Sequence, residues 1–283
     1  MVRASAYVAV ITITGGAAAL YRQAPEIAAG ALLHPVRTQM MASRPVNCID
    51  REYLGANVKL RGWQCAAAGT RLGTIVYLHG IADNRASAVG PIRRFTAAGF
   101  DVVAYDARAH GQSEGDACTY GFYEKQDLQR VIATLPVGPI VLIGTSLGAA
   151  VALQAAAEDP RISGIVAAEV FRDLETIATE RAPTFMWPRL IRQAFDVAEA
   201  RGHFDIQAVS PLEAARRIHV PVLLLHGERD TDTPDAHSVL VHAALRGPKR
   251  LVLLAGIRHN ESLGSPEAWQ EIDRWIAAIV RGV

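Results

Sequence analysis

The ten residues Pro139–Gly148, PIVLIGTSLG, are an apolar run that ends in small residues around one serine. An unbroken apolar run of this length, ended by a turn signal, is typical of a strand buried on both faces. The residues from Leu147 onward have a helical composition, so the pattern G-x-S-x-G lies on a strand–turn–helix. Such a turn exposes the serine oxygen above the sheet, at a helix N terminus that favours developing negative charge. We therefore predict a nucleophile at Ser146; the alternative is a glycine-rich turn without chemistry.

Short apolar runs rich in β-forming residues alternate with helical stretches from about residue 46 to the end of the chain. The predicted strands are residues 74–78, 101–105, 139–143, 162–167, 220–225 and 251–254. The main helical stretches are residues 86–98, 121–135, 147–158, 235–245 and 266–280. This order predicts an α/β fold with a mostly parallel central sheet and helices on both faces. Because ligand sites in such sheets lie at the carboxyl ends of the strands, the residues after each strand are the candidates for chemistry.

Two later strand ends supply the partners that a catalytic serine requires. A serine hydroxyl is a weak nucleophile, so it needs a base, and the base needs an orienting acid. The fifth predicted strand runs into a loop that contains Asp230, and the sixth runs into a loop that contains His259. The order serine, acid, histidine is the one expected after a turn of this kind. We predict a triad of Ser146, Asp230 and His259, with Asp232 as a surface residue of the same turn.

The loop after the first predicted strand is a candidate for stabilising negative charge. The segment Leu78–Ile81, LHGI, ends that strand. The backbone N–H groups of Ile81 and Leu147 would form an oxyanion hole from an early loop and the residue after the nucleophile. The same segment is also compatible with a simple tight turn. Three other histidines precede a glycine in a loop after a strand and are expected to anchor those loops: His79, His110 and His226.

About fifty residues, 170–219, separate two predicted strands and break the alternation. They contain a cluster of large apolar side chains: Phe171, Phe185, Met186, Trp187, Phe195 and Phe204. One interpretation is an extra pair of core helices. The other is a small helical cap over the site, which the position at the carboxyl end of a strand favours. On this second interpretation, Phe171, Phe185 and Trp187 are expected to line a hydrophobic substrate pocket.

Composition and charge exclude several classes of protein. Hydrophobic residues make up 50% of the chain and charged residues 20%, which is too apolar for a disordered chain. The 29 basic and 28 acidic side chains nearly cancel, so the basic excess of a nucleic-acid-binding protein is absent. The sequence has no H-E-x-x-H motif, clustered Cys/His site, P-loop or helix-opening G-x-G-x-x-G. We expect no nucleic-acid partner, metal or cofactor, and the oligomeric state stays open.

The N terminus carries a candidate targeting segment. Residues 4–21 are uncharged and lie between Arg3 and Arg22. A basic start followed by an apolar run is typical of a signal peptide or an uncleaved membrane anchor. We expect export or membrane association through this segment; the alternative is a cytoplasmic protein with a soluble amphipathic helix. The predicted organisation is a signal or anchor segment with a linker at 1–45, and one α/β domain at 46–283.

In an exported domain Cys48 and Cys65 would be able to pair, although unpaired buried thiols are at least equally compatible with the sequence.

From about Cys48 to the C terminus, the motifs and their order resemble the α/β-hydrolase superfamily. The matching segments are Leu78–Gly80, Arg108–Ser113, Gly144–Gly148, His226–Asp230 with Pro234, and His259–Asn260. Asn84 and the segment Leu33–Pro35 are similar to a subgroup of small, often membrane-anchored serine hydrolases. This subgroup includes serine aminopeptidase-like, acylaminoacyl-peptidase-like and dienelactone-hydrolase-like enzymes. Ile81 departs from the polar residue that is common there.

The resemblance implies a serine hydrolase that needs no cofactor and works through an acyl-enzyme intermediate. A small acyl ester is the expected substrate, because esters need the least help with the leaving group. Amide or peptide hydrolysis on the same triad is the alternative activity. A catalytically silent hydrolase-fold protein that binds a ligand or partner is the alternative of a different class.

Overall fold

A central β-sheet organises residues 22–282, the part of the chain that the structure, a computed structural model, describes. Its strands are β1 (Cys48–Leu54), β2 (Lys59–Cys65), β3 (Gly73–Leu78), β4 (Phe100–Tyr105), β5 (Ile140–Thr145), β6 (Gly164–Ala168), β7 (Val222–Gly227) and β8 (Lys249–Leu254). They lie in the order β1-β2-β4-β3-β5-β6-β7-β8. The six strands from β4 to β8 in this order run parallel. β1 and β2 form a hairpin, and β2 pairs antiparallel with β4.

Helices cover both faces of this sheet. They are α1 (22–33), α2 (Val89–Ala97), α3 (Glu124–Ile132), α4 (Leu147–Ala156), α5 (Leu174–Glu180), α6 (Pro188–Gly202), α7 (Pro211–Ala215), α8 (Ala236–Ala244) and α9 (Pro266–Arg281). One apolar core includes Leu128 of α3, Leu153 of α4 and Val241 of α8. The second core includes Ile92 of α2 and Ile272 of α9. The predicted α/β fold, with a mostly parallel sheet between two layers of helices, is confirmed.

The six predicted strands are present with shifted ends, and the hairpin β1–β2 was not predicted. β3, β5, β6 and β7 are buried at every position, so each reads as an unbroken apolar run. In β1 only Cys48 and Tyr53 are buried, because it is an edge strand with most side chains in solvent. Its sequence CIDREYL is therefore too polar to stand out as a strand.

The hairpin carries the disulfide that the sequence left open. Cys48 and Cys65 are directly opposite each other in the register of β1 and β2, with their Cα atoms 3.9 Å apart. A disulfide joins them across the two strands. Cys118 lies elsewhere and is fully buried in the first core. The structure therefore favours the pairing of Cys48 and Cys65 over unpaired thiols.

The N-terminal part of the described chain packs on the α/β domain. Ala29 and Leu33 of α1 are fully buried in the first core. Beyond α1, the Arg37 guanidinium donates to Ser113 O at 2.6 Å and to Gly115 O at 2.8 Å. The predicted signal or anchor segment, residues 4–21, lies outside the described residues. Among the helices of residues 22–282, none combines the length and apolar character needed to span a bilayer.

Candidate active site

The turn around Ser146 brings several segments of backbone into close contact. Ser146 lies between β5 and α4 with φ 47° and ψ −109°, and its N–H donates to Ala168 O of β6 at 2.8 Å. A Cβ atom added to Gly148 would lie 2.1 Å from Leu78 O. One added to Gly144 would lie 2.4 Å from the backbone of Gly148. Both glycines are therefore required by close packing, around a serine held in a conformation that costs free energy.

His259 lies between Ser146 and Asp230 and contacts both. His259 Nε2 is 3.1 Å from Ser146 Oγ, and His259 Nδ1 is 2.7 Å from Asp230 Oδ2. The three residues follow β5, β7 and β8, so the parallel sheet brings them to one edge. An ionised carboxylate only accepts hydrogen bonds, so Nδ1 carries the imidazole hydrogen. Nε2 is then an acceptor within reach of the serine proton, as general-base chemistry requires.

Asp230 is held in its ionised form by its neighbours. Its Oδ1 accepts from the backbone N–H groups of Asp232 at 2.9 Å and Thr233 at 2.8 Å. Its Oδ2 faces His259 and also lies 3.3 Å from His226 Nε2. Burial alone would raise the pKa of Asp230, but the hydrogen bonds from His226, His259 and Thr233 outweigh it. The pKa of Asp230 therefore lies well below its ordinary value, and the carboxylate is ready to stabilise an imidazolium.

Two residues near Asp230 have supporting positions. The Asp232 side chain is exposed, and its contact with Asp230 is made through its backbone N–H. His226 is fully buried, with Nδ1 2.6 Å from Ser238 Oγ and Nε2 2.7 Å from Thr233 O. Both imidazole nitrogens of His226 are engaged with the loop that holds Asp230. His226 thus anchors this loop, as the sequence predicted.

The loop after β3 lies beside the serine. A Cβ atom added to Gly80 would lie 3.8 Å from Ser146 Cβ and 3.5 Å from Asn260 Oδ1. Ile81 follows directly, and Leu147 is the first residue of α4, where backbone N–H groups point out of the helix end. The two candidate donors of the oxyanion hole therefore belong to segments that adjoin Ser146. Their role in binding an oxyanion stays a prediction.

The segment Arg108–Ser113, which carries part of the resemblance, has structural contacts. Arg108 makes a buried double hydrogen bond to Asp127, at 2.7 Å from Nε and 2.8 Å from Nη2. His79 Nε2 accepts from the backbone N–H of Ala107 at 2.9 Å, and burial lowers the pKa of His79. Burial, with His79 nearby, lowers the pKa of His110 to about 4. His79 and His110 are thus neutral loop anchors at neutral pH, in agreement with the sequence prediction.

One buried carboxylate near the candidate triad, Glu169, was not predicted from the sequence. Glu169 directly follows β6, just as Ser146 directly follows β5. The backbone φ of Glu169 is 51°, and its side chain is fully buried. Its Oε1 accepts from the backbone N–H of Ser262 at 3.1 Å, in the loop after His259. Among residues 22–282, Glu169 Oε2 has no hydrogen-bond partner. Burial raises the pKa of Glu169 despite its contacts with Ser262 and the proximity of His259. The feature of the sequence that could have identified Glu169 is its position directly after the buried strand β6.

The side chains of Ser146, His259 and Asp230 form a chain of hydrogen bonds at the carboxyl edge of the sheet. Within the described part of the protein, no cluster of three or more His, Cys, Asp and Glu side chains is arranged to hold a metal ion. Ser146, His259 and Asp230 together have the geometry of a nucleophile, its base and an orienting acid.

Two family comparisons match most of the region that contains these residues. The family described as "alpha/beta hydrolase fold" matches residues 73–197, and the "Prolyl oligopeptidase family" matches residues 138–275. The chain belongs to the α/β-hydrolase superfamily. Membership of this superfamily supports a hydrolase activity.

The α/β hydrolase has curated relatives in bacteria. It is 32% identical over 216 residues to the uncharacterised protein YqkD of Bacillus subtilis, covering 72% of this chain and 70% of that protein. It is 27% identical over 216 residues to the uncharacterised protein YfhR of Escherichia coli K12, with the same coverage.

Solved structures share the fold of this α/β hydrolase. The Pyrococcus furiosus esterase Pf2001 superposes with a TM-score of 0.67 and 24% identity, covering 86% of this chain and 99% of that one. Pyrococcus horikoshii acylaminoacyl peptidase superposes with a TM-score of 0.61 and 17% identity, covering 81% of this chain and 40% of that one. At sequence identities of 24% and 17%, these superpositions show a shared fold.

The insertion between β6 and β7 of the hydrolase forms α5, α6 and α7. The three predicted pocket residues have different environments there. Phe171 is buried and packs edge-on against Tyr120 at 6.4 Å between ring centroids. Phe185 and Trp187, in the connection from α5 to α6, are 69% and 68% exposed. The insertion therefore combines core packing with an exposed segment, and the sequence did not separate the two.

A cavity of about 610 Å³ lies between α1 and the insertion. We call it the α1–cap cavity, and its lining is: Ala24, Ile27, Ala28, Ala29, Ala31, Leu32, Tyr120, Leu174, Ile177, Ala178, Arg181, Ala182, Pro183, Phe185, Met186, Ile191, Ala194 and Phe195. Of the three predicted pocket residues, Phe185 lines it. Trp187 and Phe171 do not line it. Trp187 is at the N-cap position of α6 with its side chain in solvent, and Phe171 packs against Tyr120.

Arg181 connects the α1–cap cavity with the loop that holds Asp230. Arg181 lines the cavity, yet its guanidinium donates to Asp232 O at 2.8 Å and to Thr233 Oγ1 at 2.7 Å. The backbone N–H groups of Asp232 and Thr233 in turn hold Asp230. The rim of the cavity is thus two hydrogen bonds away from the candidate catalytic acid.

Proposed function

We propose that the chain is a serine hydrolase that cleaves a carboxylic ester through an acyl-enzyme intermediate. The observation that carries this proposal is the position of His259, 3.1 Å from Ser146 Oγ and 2.7 Å from Asp230 Oδ2. A nucleophile in contact with a base, and a base in contact with an acid, is the arrangement that activates a serine hydroxyl. The strained turn at Ser146 supports the same role, because backbone strain of this kind is retained at active sites.

In the first half of the reaction, Ser146 Oγ attacks the acyl carbonyl carbon while His259 Nε2 takes its proton. The carbonyl oxygen becomes an oxyanion, for which the N–H groups of Ile81 and Leu147 are the proposed donors. Collapse of this tetrahedral intermediate breaks the bond to the alcohol oxygen. His259 gives its proton to that oxygen, so the alcohol leaves neutral and the acyl group stays on Ser146.

In the second half, water replaces the alcohol. His259 Nε2 takes a proton from water as the water oxygen attacks the acyl carbon of the Ser146 ester. The bond between Ser146 Oγ and this carbon then breaks, and the proton returns to Ser146. Asp230 stabilises the imidazolium in both halves, because it remains a carboxylate with its pKa well below the ordinary value.

Amide or peptide hydrolysis is the second candidate. It is supported by the match to the prolyl oligopeptidase family over residues 138–275 and by the fold likeness to an acylaminoacyl peptidase. An amide needs protonation of a poorer leaving group, so the same triad would act on esters more readily than on amides.

A substrate panel tests the proposed activity. Purified protein is assayed with p-nitrophenyl esters and with aminoacyl p-nitroanilides, beside a Ser146→Ala control. We expect ester turnover that exceeds anilide turnover and falls by roughly a thousandfold or more in Ser146→Ala. Anilide turnover in excess of ester turnover would assign the peptidase function instead. Turnover that is equal with and without Ser146 would contradict both.

We also propose that the hydrolase acts outside the cytoplasm or at a membrane. The disulfide between Cys48 and Cys65 supports this, because such bonds persist in oxidising compartments. The uncharged run at residues 4–21 supports it from the sequence. Cell fractionation of the full chain is expected to place it with membranes or outside the cytosol. A cytosolic protein with reduced Cys48 and Cys65 would contradict this localisation.

A further inference from the structure

We propose that the α1–cap cavity binds the aliphatic chain of the substrate's acyl group, so that the preferred substrates are medium- or long-chain acyl esters. This inference rests on the proposed esterase function. It assigns to α1, which lies outside the predicted α/β domain, one wall of the substrate site.

The lining of the cavity is apolar apart from two side chains, and both are already engaged. Tyr120 OH donates to Leu32 O at 3.0 Å. The Arg181 guanidinium is bound to Asp232 O and Thr233 Oγ1. A ligand group inside the cavity would therefore lose its hydrogen bonds to water without replacement unless it is apolar. This favours a hydrocarbon chain over a sugar, a nucleotide or a peptide backbone.

The size of the cavity fits a ligand. A volume of about 610 Å³ lies inside the range of roughly 300–1,000 Å³ that is usual for small-molecule sites. The cavity is open to solvent beside the exposed side chains of Ile27 and Phe185, so a ligand would be able to enter it. Each methylene group transferred into it would raise the affinity by about fourfold.

The cavity lies on the side of the molecule that carries the triad. Arg181 joins its rim to the loop that holds Asp230, through Asp232 and Thr233. At another point Tyr120 lines the cavity and packs on Phe171, which follows β6 just as Ser146 follows β5. The contacts of Arg181 and the packing of Tyr120 on Phe171 both connect the cavity with the carboxyl edge of the sheet. None of the triad residues lines the cavity, so an acyl chain whose carbonyl carbon is at Ser146 would have to cross from this edge to reach it.

A binding experiment tests the cavity without catalysis. The fluorescent fatty acid cis-parinaric acid is titrated into Ser146→Ala protein and into the same protein carrying Ala28→Phe or Ala178→Phe. These substitutions place a phenyl ring into the cavity from α1 and from α5, respectively. Ala200→Phe is the matched control, because Ala200 is exposed on α6 and outside the lining. Thermal melts of all variants identify any that fail to fold.

We expect both filling substitutions to weaken fatty-acid binding tenfold or more, and Ala200→Phe to leave it within a factor of two. In the active background, the ratio of kcat/KM for p-nitrophenyl octanoate to that for the acetate should fall in the same two variants. Equal affinity in folded Ala28→Phe, Ala178→Phe and Ala200→Phe proteins would overturn the proposal. If a fluorophosphonate fails to label Ser146, the esterase function fails, whereas the binding titration still decides whether the cavity holds an aliphatic chain.

Discussion

Asp230 and Asp232 lie two residues apart in one loop, yet they contribute different groups to it. The carboxylate of Asp230 contacts His259, whereas Asp232 contributes a backbone N–H that any residue except proline would supply. We expect Asp230→Ala to lower kcat by roughly ten-thousandfold, because the imidazole loses the partner that fixes its tautomer and stabilises its charge. Asp232→Ala should stay within a few-fold of wild type. Steady-state ester kinetics compare the two, and the reverse ranking would assign the acid to Asp232.

Glu169 holds the loop that carries His259, through the hydrogen bond from Ser262 N–H to Oε1. Glu169→Gln keeps an oxygen acceptor at this position, whereas Glu169→Ala removes it. We expect kcat to fall tenfold or more in Glu169→Ala with KM nearly unchanged, and to stay within a few-fold of wild type in Glu169→Gln. Unchanged kcat in a folded but less stable Glu169→Ala protein would restrict Glu169 to a structural role.

The three residues of the proposed triad could be selected from the sequence because each follows a strand that was itself recognisable. Glu169 also follows such a strand, but a carboxylate there has no motif to mark it. Its importance comes from burial and from a contact with Ser262, 93 residues later, which only the folded sheet creates.

The β1–β2 hairpin makes a prediction about thiols at the scale of elements. Cys48 and Cys65 are joined across the hairpin, and burial raises the pKa of the Cys118 thiol well above its ordinary value. The native, non-reduced protein should therefore react very slowly with Ellman's reagent. Denaturation without reductant should expose one thiol per chain, and denaturation after reduction should expose all three cysteines. Three reactive thiols without reductant would contradict the disulfide.

Prediction of the strands succeeded for the six parallel strands and failed for the β1–β2 hairpin at the edge of the sheet. β5 is buried along its whole length, so its apolar run is a direct signal. β1 at the sheet edge has no such signal. The insertion after β6 was recognised by its length, but Phe185 and Trp187 lie in an irregular connection. No helical period there indicates which large side chain faces the core.

At the scale of the whole molecule, α1 belongs to the same folding unit as the sheet. Leu33 is fully buried in the core that includes Leu142 of β5, whereas Val36, shortly after α1, is 74% exposed. We expect Leu33→Ala to lower the free energy of unfolding by about 2–5 kcal/mol, through lost burial and the cavity left behind. Val36→Ala should change it by less than about 0.5 kcal/mol. Urea unfolding of the full chain measures both changes. Equal changes in the free energy of unfolding would show that α1 does not fold together with the sheet.

Covalent labelling tests most directly whether Ser146 is the nucleophile of a serine hydrolase. The native protein is treated with a fluorophosphonate, and the adduct is located by intact mass and peptide mapping. We expect one adduct per chain on Ser146, and none in Ser146→Ala protein with an unchanged thermal melt. A native, folded wild-type protein that forms no adduct, or an adduct that persists in Ser146→Ala, would contradict the assignment.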